Sequence, residues 1–396
     1  MEDKQYTHRM WIFTGAAFYI LFLLGFMDNL KGPTVPAVLK EFNFNYSQGG
    51  TILFCTYIGF LIATLLTGVL GDVAGKNAVL FAAGSCLVVG TLGFTTLRSF
   101  WALAGSMLVI GLGLGALDLG GNSITVELHP KDKGRYLNLI SVAHGLSSII
   151  SPLIAGYFIS QAMGWRMGYW IGLILALILL LFSFLGHYPV QKSNSKNGMD
   201  FKKVGRQILM PSMRWLYILL MAYVGTEIAT VAWLVTYLQE VRGQSVTLSS
   251  TFLSLFFVGL MVGRFIGSFV VDRIGYVLSL MIASFGSTIC LSMGIFGPPS
   301  FVFFLSLSGL FYSIIFPVTT AMASDLHREN VGTVIGLLFA FAGLGGAVVP
   351  WLVGFLSDAA GLQVGFGFNV VVWGLILICV IRLRAEQRHQ LTQTVP

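Results

Sequence analysis

Long apolar runs separated by short polar stretches follow one another along the chain. Twelve of these runs hold about twenty or more mostly apolar residues, enough for a helix to cross the hydrocarbon core of a bilayer. They lie at residues 11–31, 49–70, 77–96, 100–124, 136–160, 167–187, 213–238, 248–271, 276–296, 299–324, 331–356 and 362–382. A membrane β-barrel would instead show short segments of alternating apolar and polar residues. The pattern therefore predicts an all-α membrane protein with twelve transmembrane helices.

The longest polar stretch, residues 191–206, divides the apolar runs into two sets of six. We predict an N-terminal six-helix bundle at residues 1–190, a cytoplasmic linker at residues 191–212 and a C-terminal six-helix bundle at residues 213–396. Charged residues make up only 10% of the chain, against about 25% in a soluble domain, which supports insertion into a membrane.

Basic residues lie mostly in loops on one side of the predicted membrane, and the formal net charge is +7. Loops on the side of the N-terminus carry Lys76, Lys131, Lys133, Arg135, Lys192, Lys196, Lys202, Lys203, Arg206, Arg273 and Arg328. The other side offers mainly Lys40, Arg98, Arg166 and Arg242. Because positively charged loops tend to stay in the cytoplasm, we predict a multi-pass protein of the plasma membrane (cell inner membrane) with both termini cytoplasmic. This arrangement of charge is not a signal for nucleic-acid binding.

The four cysteines, Cys55, Cys86, Cys290 and Cys379, all fall within apolar runs and lack the spacing of metal ligands. We interpret them as small core residues, and we predict no metal site and no cofactor. The chain also lacks a nucleophile motif or a phosphate-binding loop, so catalysis is the least expected activity.

Two unrelated motifs occur once in each half, about half the chain apart. Residues 152–160 near the end of the fifth run match residues 350–357 near the end of the eleventh. Residues 68–76 after the second run match residues 268–275 after the eighth. A six-plus-six parallel repeat, with halves related by pseudo-two-fold symmetry and a site near the midplane, is typical of transporters that rock between two states.

The loops at residues 68–76 and 268–275 resemble the signature loop of the major facilitator superfamily, G-x-x-x-D-R-x-G-R/K. In such a loop the aspartate can cap a helix and pair with a cation, which closes the cytoplasmic side in one state. The alternative is an ordinary helix-capping turn. The residues to which we assign a gating role are Asp72, Lys76, Arg264, Asp272 and Arg273.

One carboxylate, Asp118, lies deep within the fourth apolar run, and Asn122 follows one helical turn later on the same face. A charged side chain at membrane depth costs roughly 2.5–3.5 kcal/mol on insertion scales, so it must face protein or a water-filled cavity. We interpret Asp118 as a proton-coupling residue and Asn122 as a substrate-binding residue. A buried structural acid is the alternative for Asp118.

Polar residues also mark the end of the first run. Asp28 and Asn29 stand there with Lys31, and the pair at residues 32–33, Gly-Pro, is expected to break the helix and free backbone groups for a site. Asp28 is a second candidate for proton coupling, Asn29 a candidate for substrate binding, and the alternative is that Asp28 and Lys31 mark the membrane edge. His144 in the fifth run is either a satisfied structural histidine or a substrate-binding residue.

The seventh run carries Glu227, Thr230, Trp233 and Tyr237 at helical spacing, which predicts one polar and aromatic stripe. Sugars are bound by this mixture, because carboxylates accept hydrogen bonds from hydroxyl groups and flat rings cover apolar sugar faces. All four are therefore candidate substrate-binding residues, with aromatic packing as the alternative for the rings.

Two prolines lie inside later apolar runs. Pro317 and Pro350 are expected to kink or break the tenth and eleventh helices. The glycines of residues 343–346 leave room for such a movement.

Several of these segments together resemble the fucose–galactose–glucose proton symporters of the major facilitator superfamily. Residues 118–123 resemble that family's E-T-x-x-N-P, whose acid is the coupling residue, and residues 223–227 resemble its sugar-contacting Y-V/A-G-x-E/Q. Residues 262–265, 313–317 and 345–361 follow in the family's order. The family's substrate-binding aspartate of the first span falls here on Gly32, while Asp28 lies one turn earlier.

The resemblance implies a secondary transporter that imports a monosaccharide with protons by alternating access. Its expected partners are a sugar, protons and the lipid bilayer, and it is expected to work as a monomer. Proton-driven export of lipophilic compounds and sodium-coupled sugar uptake remain alternatives. A membrane sensor or scaffold is less favoured because no soluble signalling domain is attached.

Overall fold

The computed structural model describes residues 2–185, 211–326 and 331–393. The ordered elements within these ranges are helices, and no strand occurs among them. The helices are α1 (Glu2–Asn29), α2 (Lys31–Phe42), α3 (Tyr46–Ala74), α4 (Lys76–Thr96), α5 (Phe100–Leu128), α6 (Lys133–Ser160), α7 (Arg166–Leu185), α8 (Pro211–Glu240), α9 (Val246–Ile274), α10 (Tyr276–Phe296), α11 (Phe303–Tyr312), α12 (Ile315–Leu326), α13 (Val331–Ala360) and α14 (Leu362–Gln393), with a 3₁₀ turn at Pro299–Val302.

Twelve segments of the described chain are helical, long and apolar enough to cross a membrane. The first joins α1 and α2, and the tenth joins the 3₁₀ turn, α11 and α12. Each of the other ten corresponds to one helix. The prediction of an all-α protein with twelve transmembrane helices is confirmed.

Internal contacts divide the chain into two compact units. The first unit comprises Met1–Phe44 and Thr51–Ser195, and the second comprises Asn45–Gly50 and Lys196–Pro396. The predicted linker at residues 191–212 lies almost entirely outside the described residues.

The start of α3 belongs to the second unit, which the apolar pattern did not predict. The backbone amides of Tyr46 and Ser47 donate to the carboxylate of Asp358 at 2.9 and 2.7 Å. The first amides of a helix have no partner within the helix, and an anion there is favoured by the helix dipole. Asp358 therefore caps α3.

The first span is broken between α1 and α2, slightly before the predicted position at residues 32–33. The reason is that Pro33 has no N–H to donate to the carbonyl of Asn29, four residues earlier, so the helical ladder is interrupted there. Pro33 itself lies in the first turn of α2, where amides lack helical partners in any case. The Leu30 carbonyl keeps its helical hydrogen bond from the Thr34 amide at 3.3 Å and also accepts from the Thr34 hydroxyl at 2.8 Å.

The same rule explains the tenth span. α11 ends at Tyr312 and α12 begins at Ile315, just before Pro317, so the predicted break is present. Pro350, by contrast, lies inside the unbroken helix α13. A proline removes one hydrogen bond in each case, but the helix ends just before Pro317 and continues through Pro350.

Glycines let the spans approach each other closely. A Cβ atom added to Gly345 would lie 1.8 Å from the carbonyl oxygen of Met221, so α13 and α8 pack backbone against backbone at this point. In the first unit, a Cβ atom at Gly111 of α5 would lie 1.9 Å from the Thr56 carbonyl of α3. The glycines near Asp118 thus place its helix against its neighbour, and Gly345 serves packing.

A charged cluster ties three elements of the first unit together. Arg166 at the start of α7 binds Glu41 of α2 through two nitrogens, each at 2.7 Å, and its Nε donates to the Thr95 carbonyl of α4 at 2.9 Å. Trp165 adds an indole hydrogen bond to Glu41 at 2.7 Å. Bidentate arginine–carboxylate pairs are among the stronger charged contacts, so this cluster fixes the end of α2.

Candidate functional site

Asp118 is partly buried on α5, and its contact within the described residues is with an amide. Asn122 Nδ2 donates to Asp118 Oδ1 at 3.1 Å and to the Asp118 carbonyl at 2.8 Å. None of the ion pairs formed by the described residues involves Asp118. A carboxylate in an apolar span with no cation beside it is neutralised most simply by a proton.

Asp28 has a different environment, because it forms an ion pair with Lys31 across the break between α1 and α2. Lys31 Nζ also donates to the hydroxyl of Tyr57 at 3.0 Å, and it lies 4.2 Å from the centre of the Tyr57 ring. Lys31 is only 3% exposed. Sequence reasoning placed both residues near one end of the first span but did not predict this pairing or the contact with Tyr57 of α3.

Asn29 and His144 lie along the seam between α1 and α6. Asn29 is buried, and its Nδ2 donates to the Ser148 hydroxyl at 2.9 Å and to the Gly25 carbonyl at 2.8 Å. His144 is half-buried, and its carbonyl accepts from Ser148 at 2.8 Å. The amide donors of Asn29 are thus used within the protein, which indicates a packing role for this predicted binding residue.

In the second unit, Glu227 is half-buried on α8, one turn from a fully buried aromatic cluster. The hydroxyl of Thr230 shares a hydrogen bond of 3.1 Å with the hydroxyl of Tyr312, which also accepts from Trp373 Nε1 at 2.7 Å. The ring of Tyr223 lies 6.0 Å from that of Tyr312. Sequence reasoning missed Tyr312 and Trp373. Tyr312 directly precedes the recognised motif at residues 313–317, whereas Trp373 carries no signal in its apolar run.

Trp233 and Tyr237 are fully buried, and their polar atoms are bonded to protein. Trp233 Nε1 donates to the Pro350 carbonyl at 2.9 Å. The Tyr237 hydroxyl donates to the Ile295 carbonyl at 2.8 Å and accepts from Arg242 Nε at 2.9 Å. Of the predicted stripe, Glu227 is therefore the member whose side chain is partly exposed.

The two signature loops form equivalent turns. Gly75 between α3 and α4 has φ 83° and ψ 166°, and Gly275 between α9 and α10 has φ 85° and ψ 158°. This backbone region is essentially closed to residues with a Cβ atom. The glycines of the predicted repeat are thus required by the same backbone geometry in both halves.

Each of these turns is followed by a contact to an acid near the end of a later span. Lys76, the first residue of α4, forms an ion pair with Glu127 of α5. Tyr276, the first residue of α10, donates to Asp325 of α12 at 3.3 Å. Sequence reasoning missed Glu127 and Asp325, although both stand about half the chain apart at the ends of the fourth and tenth runs.

The other gating candidates on α9 are exposed and take part in none of the ion pairs of the described residues. These candidates are Arg264, Asp272 and Arg273. None of the ion pairs that the described residues form joins Arg264 to Asp272. The side chain of Asp72 lies outside the described residues.

No group of three or more metal-ligating side chains occurs in the described parts of the chain, where the four cysteines are free.

This fold and these polar clusters within apolar spans are typical of a polytopic membrane transporter. The family model of the Major Facilitator Superfamily matches residues 17–300 and 218–396. The chain belongs to this superfamily, as its signature loops indicated.

Curated relatives cover most of the chain at low identity. A glucose/galactose transporter of Brucella abortus biovar 1 is 26% identical over 90% of each chain. A cis,cis-muconate transport protein of Acinetobacter baylyi is 24% identical over 92% of each, and the L-fucose-proton symporter of Escherichia coli K12 is 23% identical over 86% of each. Among solved structures, a nucleoside transporter matches with a TM-score of 0.79 at 15% identity, covering 94% of this chain and 99% of that one.

Proposed function

We propose that the protein is a proton-coupled monosaccharide symporter that works by alternating access in the plasma membrane, as a monomer with both termini in the cytoplasm. The observation that carries this proposal is Asp118. It is a partly buried carboxylate inside an apolar span, held by the amide of Asn122 and lacking a cation among the described residues. Such a group can exist without charge only by taking up a proton, and a symporter needs a group that does so reversibly.

The substrate class is supported by Glu227 and by the relatives. Glu227 is half-buried beside a cluster of aromatic rings, and a carboxylate there accepts hydrogen bonds from hydroxyl groups. Relatives covering most of the chain carry the names of a glucose/galactose transporter and an L-fucose-proton symporter. A sugar with many hydroxyl groups fits these observations better than a lipophilic compound, which needs a larger apolar surface.

The test is Asp118→Asn in purified protein reconstituted into liposomes. The asparagine has the shape of the protonated acid but cannot release a proton. We expect the variant to bind sugar and to exchange sugar across the membrane, but to lose accumulation driven by a pH gradient. Asp118→Glu is the matched control, because it keeps at the same position a carboxylate that can titrate.

Three results would contradict parts of the proposal. Gradient-driven uptake that survives in Asp118→Asn places proton coupling elsewhere. Uptake driven by a sodium gradient alone identifies sodium as the coupling ion. Transport of lipophilic dyes without sugar binding favours the exporter.

A further inference from the structure

The ion pair of Asp28 and Lys31 lies inside the first unit, where an unpaired charge is expensive. Lys31 is 3% exposed and donates to Asp28 and to the Tyr57 hydroxyl, with the Tyr57 ring beneath its ammonium group. The Tyr57 hydroxyl lies 3.4 Å from both carboxylate oxygens of Asp28. The ammonium group of Lys31 thus makes its contacts with a carboxylate, a hydroxyl group and an aromatic ring of the protein.

The two partners are not equally accessible. The side chain of Asp28 is 26% exposed, whereas that of Lys31 is 4% exposed. A solute that reaches this cluster therefore meets the carboxylate first, and the ammonium group lies behind it. Two other acidic or basic side chains, Asp118 and His144, lie away from the ends of the described spans in the first unit. The pair of Asp28 and Lys31 as a whole carries no net charge, but its exposed partner is the carboxylate, which repels an anion at short range.

We propose that Lys31 is an internal counter-ion of Asp28, and that this pair makes the site selective for neutral sugars over sugar acids. The inference rests on the proposed sugar transport and goes further by naming the charge of the substrate and the residues that select it. Asp28 contributes a carboxylate that accepts hydrogen bonds from sugar hydroxyls, and Lys31 is a positioning residue that holds this carboxylate in place. Specificity of this kind depends on repulsion as well as attraction.

The proposal predicts opposite changes for the two single substitutions. Asp28→Asn keeps the shape of the side chain but leaves the Lys31 ammonium group without its anion, so the variant should gain at least about tenfold in affinity for a sugar acid. Lys31→Met keeps much of the side-chain volume but leaves the Asp28 carboxylate without its cation. This variant should gain a similar factor for a cationic amino sugar.

Calorimetric binding to the purified full-length protein in detergent tests both changes. Glucuronate, glucose and glucosamine share one ring and differ in charge, so they form a matched set of probes. The double variant Asp28→Asn/Lys31→Met is the control, since it removes both charges and should prefer neither charged sugar.

The outcomes separate this inference from the proposed function. Glucuronate binding that rises in Asp28→Asn and is lost in the double variant supports the inference even if the wild-type protein does not bind glucose, in which case the proposed monosaccharide function alone fails. Equal glucuronate affinity in the wild-type protein and Asp28→Asn overturns the inference. Should Asp28→Asn not fold, glucosamine binding by Lys31→Met decides, and no gain there overturns it.

Discussion

The acidic residues within or near the spans differ in the partners that they contact. Asp28 and Glu127 each pair with a lysine, whereas Asp118 contacts the amide of Asn122. The partner therefore determines the role that each acid can play. Sequence position alone identified Asp118 as unusual, because an acid within an apolar run is rare. It also placed Asn122 one turn from Asp118 on the same face. It could not identify the lysine partners of Asp28 and Glu127, which lie beyond a helix break and on another helix.

The aromatic residues of the seventh span show the limit of helical spacing. The spacing of Glu227, Thr230, Trp233 and Tyr237 placed them on one stripe, but the rings are buried and bonded to backbone carbonyls of other helices. Periodicity indicates which residues share a face of a helix. It does not indicate whether that face meets a neighbouring helix or open space.

Glu227→Ala should weaken sugar binding, because hydroxyl groups of the substrate lose their acceptor. Leaving buried polar groups unpaired costs about 1–3 kcal/mol, so we expect a roughly tenfold to hundredfold loss of affinity in a binding titration. Tyr237→Phe is the contrasting variant. Its hydroxyl is bonded to Ile295 and Arg242, so it should lower the melting temperature and leave affinity unchanged. Unaltered sugar affinity in a folded Glu227→Ala protein would give Glu227 a structural role.

His129 lies in the turn between α5 and α6, outside the spans, and its environment disfavours the charged form. Its ring is stacked on Tyr136 at 3.4 Å, and its Nε2 lies 2.8 Å from the Thr14 hydroxyl. Thr14 donates its single hydroxyl hydrogen to the Met10 carbonyl, so Nε2 acts as the donor toward Thr14. Burial lowers the pKa of His129 below its usual value of 6.5, and the nearby Asp132 opposes this only in part.

This lowered pKa makes stability depend on pH in a defined direction. The unfolded chain binds a proton at His129 more readily than the folded protein, so stability present above about pH 6.5 is lost as the pH falls. Melting curves between about pH 8 and pH 5 should therefore show a smaller decrease in His129→Phe than in the wild-type protein. Tyr136→Phe keeps the stacked ring and should keep the wild-type slope. Identical slopes in all three proteins would show that His129 does not contribute.

The helices themselves follow from the sequence more directly than the site does. All twelve spans were predicted, because the length of an apolar run is a local property and the bilayer sets a fixed requirement for it. The break in the first span came earlier than predicted because a proline acts on the carbonyl four residues before it. The capping of α3 by Asp358 was not predictable, since the two residues are far apart in the chain.

The turns of the signature loops give a test at the level of one element. Gly75 has a backbone conformation that costs a residue with a Cβ atom about 1–3 kcal/mol, so Gly75→Ala should lower the melting temperature in detergent. Gly68 lies exposed within α3 with no atom near its missing Cβ, so Gly68→Ala should be neutral or should raise the melting temperature. Equal effects of the two substitutions would mean that the turn tolerates other conformations.

For the whole molecule, the internal repeat connects sequence and structure. The pairs formed by Lys76 with Glu127 and by Tyr276 with Asp325 occupy matching places in the two units. The chemistry differs, since one is an ion pair and the other a hydrogen bond from a phenol. The repeated loops were predictable from their glycines and aspartates, but the acids that receive these contacts were not.

Membrane orientation is a property of the whole chain and can be tested by labelling. Lys131 and Arg98 are exposed in turns at opposite ends of α5, and the positive-inside rule places Lys131 in the cytoplasm and Arg98 outside. A membrane-impermeant thiol reagent applied to intact cells should label Arg98→Cys but not Lys131→Cys. The parent protein is the control for its four native cysteines, which all lie within spans. The reverse labelling pattern would show that the chain has the opposite orientation in the membrane.

The breaks before Pro33 and Pro317 also have a mechanical consequence. A continuous helix is a stiff rod, and a push at one end moves the other. At each break a helical hydrogen bond is missing, so the first and tenth spans each behave as two shorter rods with a soft joint. The shorter rod of the first span, α2, is 12 residues long, or about 18 Å, and the Glu41–Arg166 cluster anchors its far end. The longer rod α1 can therefore tilt while α2 stays fixed, with the ion pair of Asp28 and Lys31 at the joint itself.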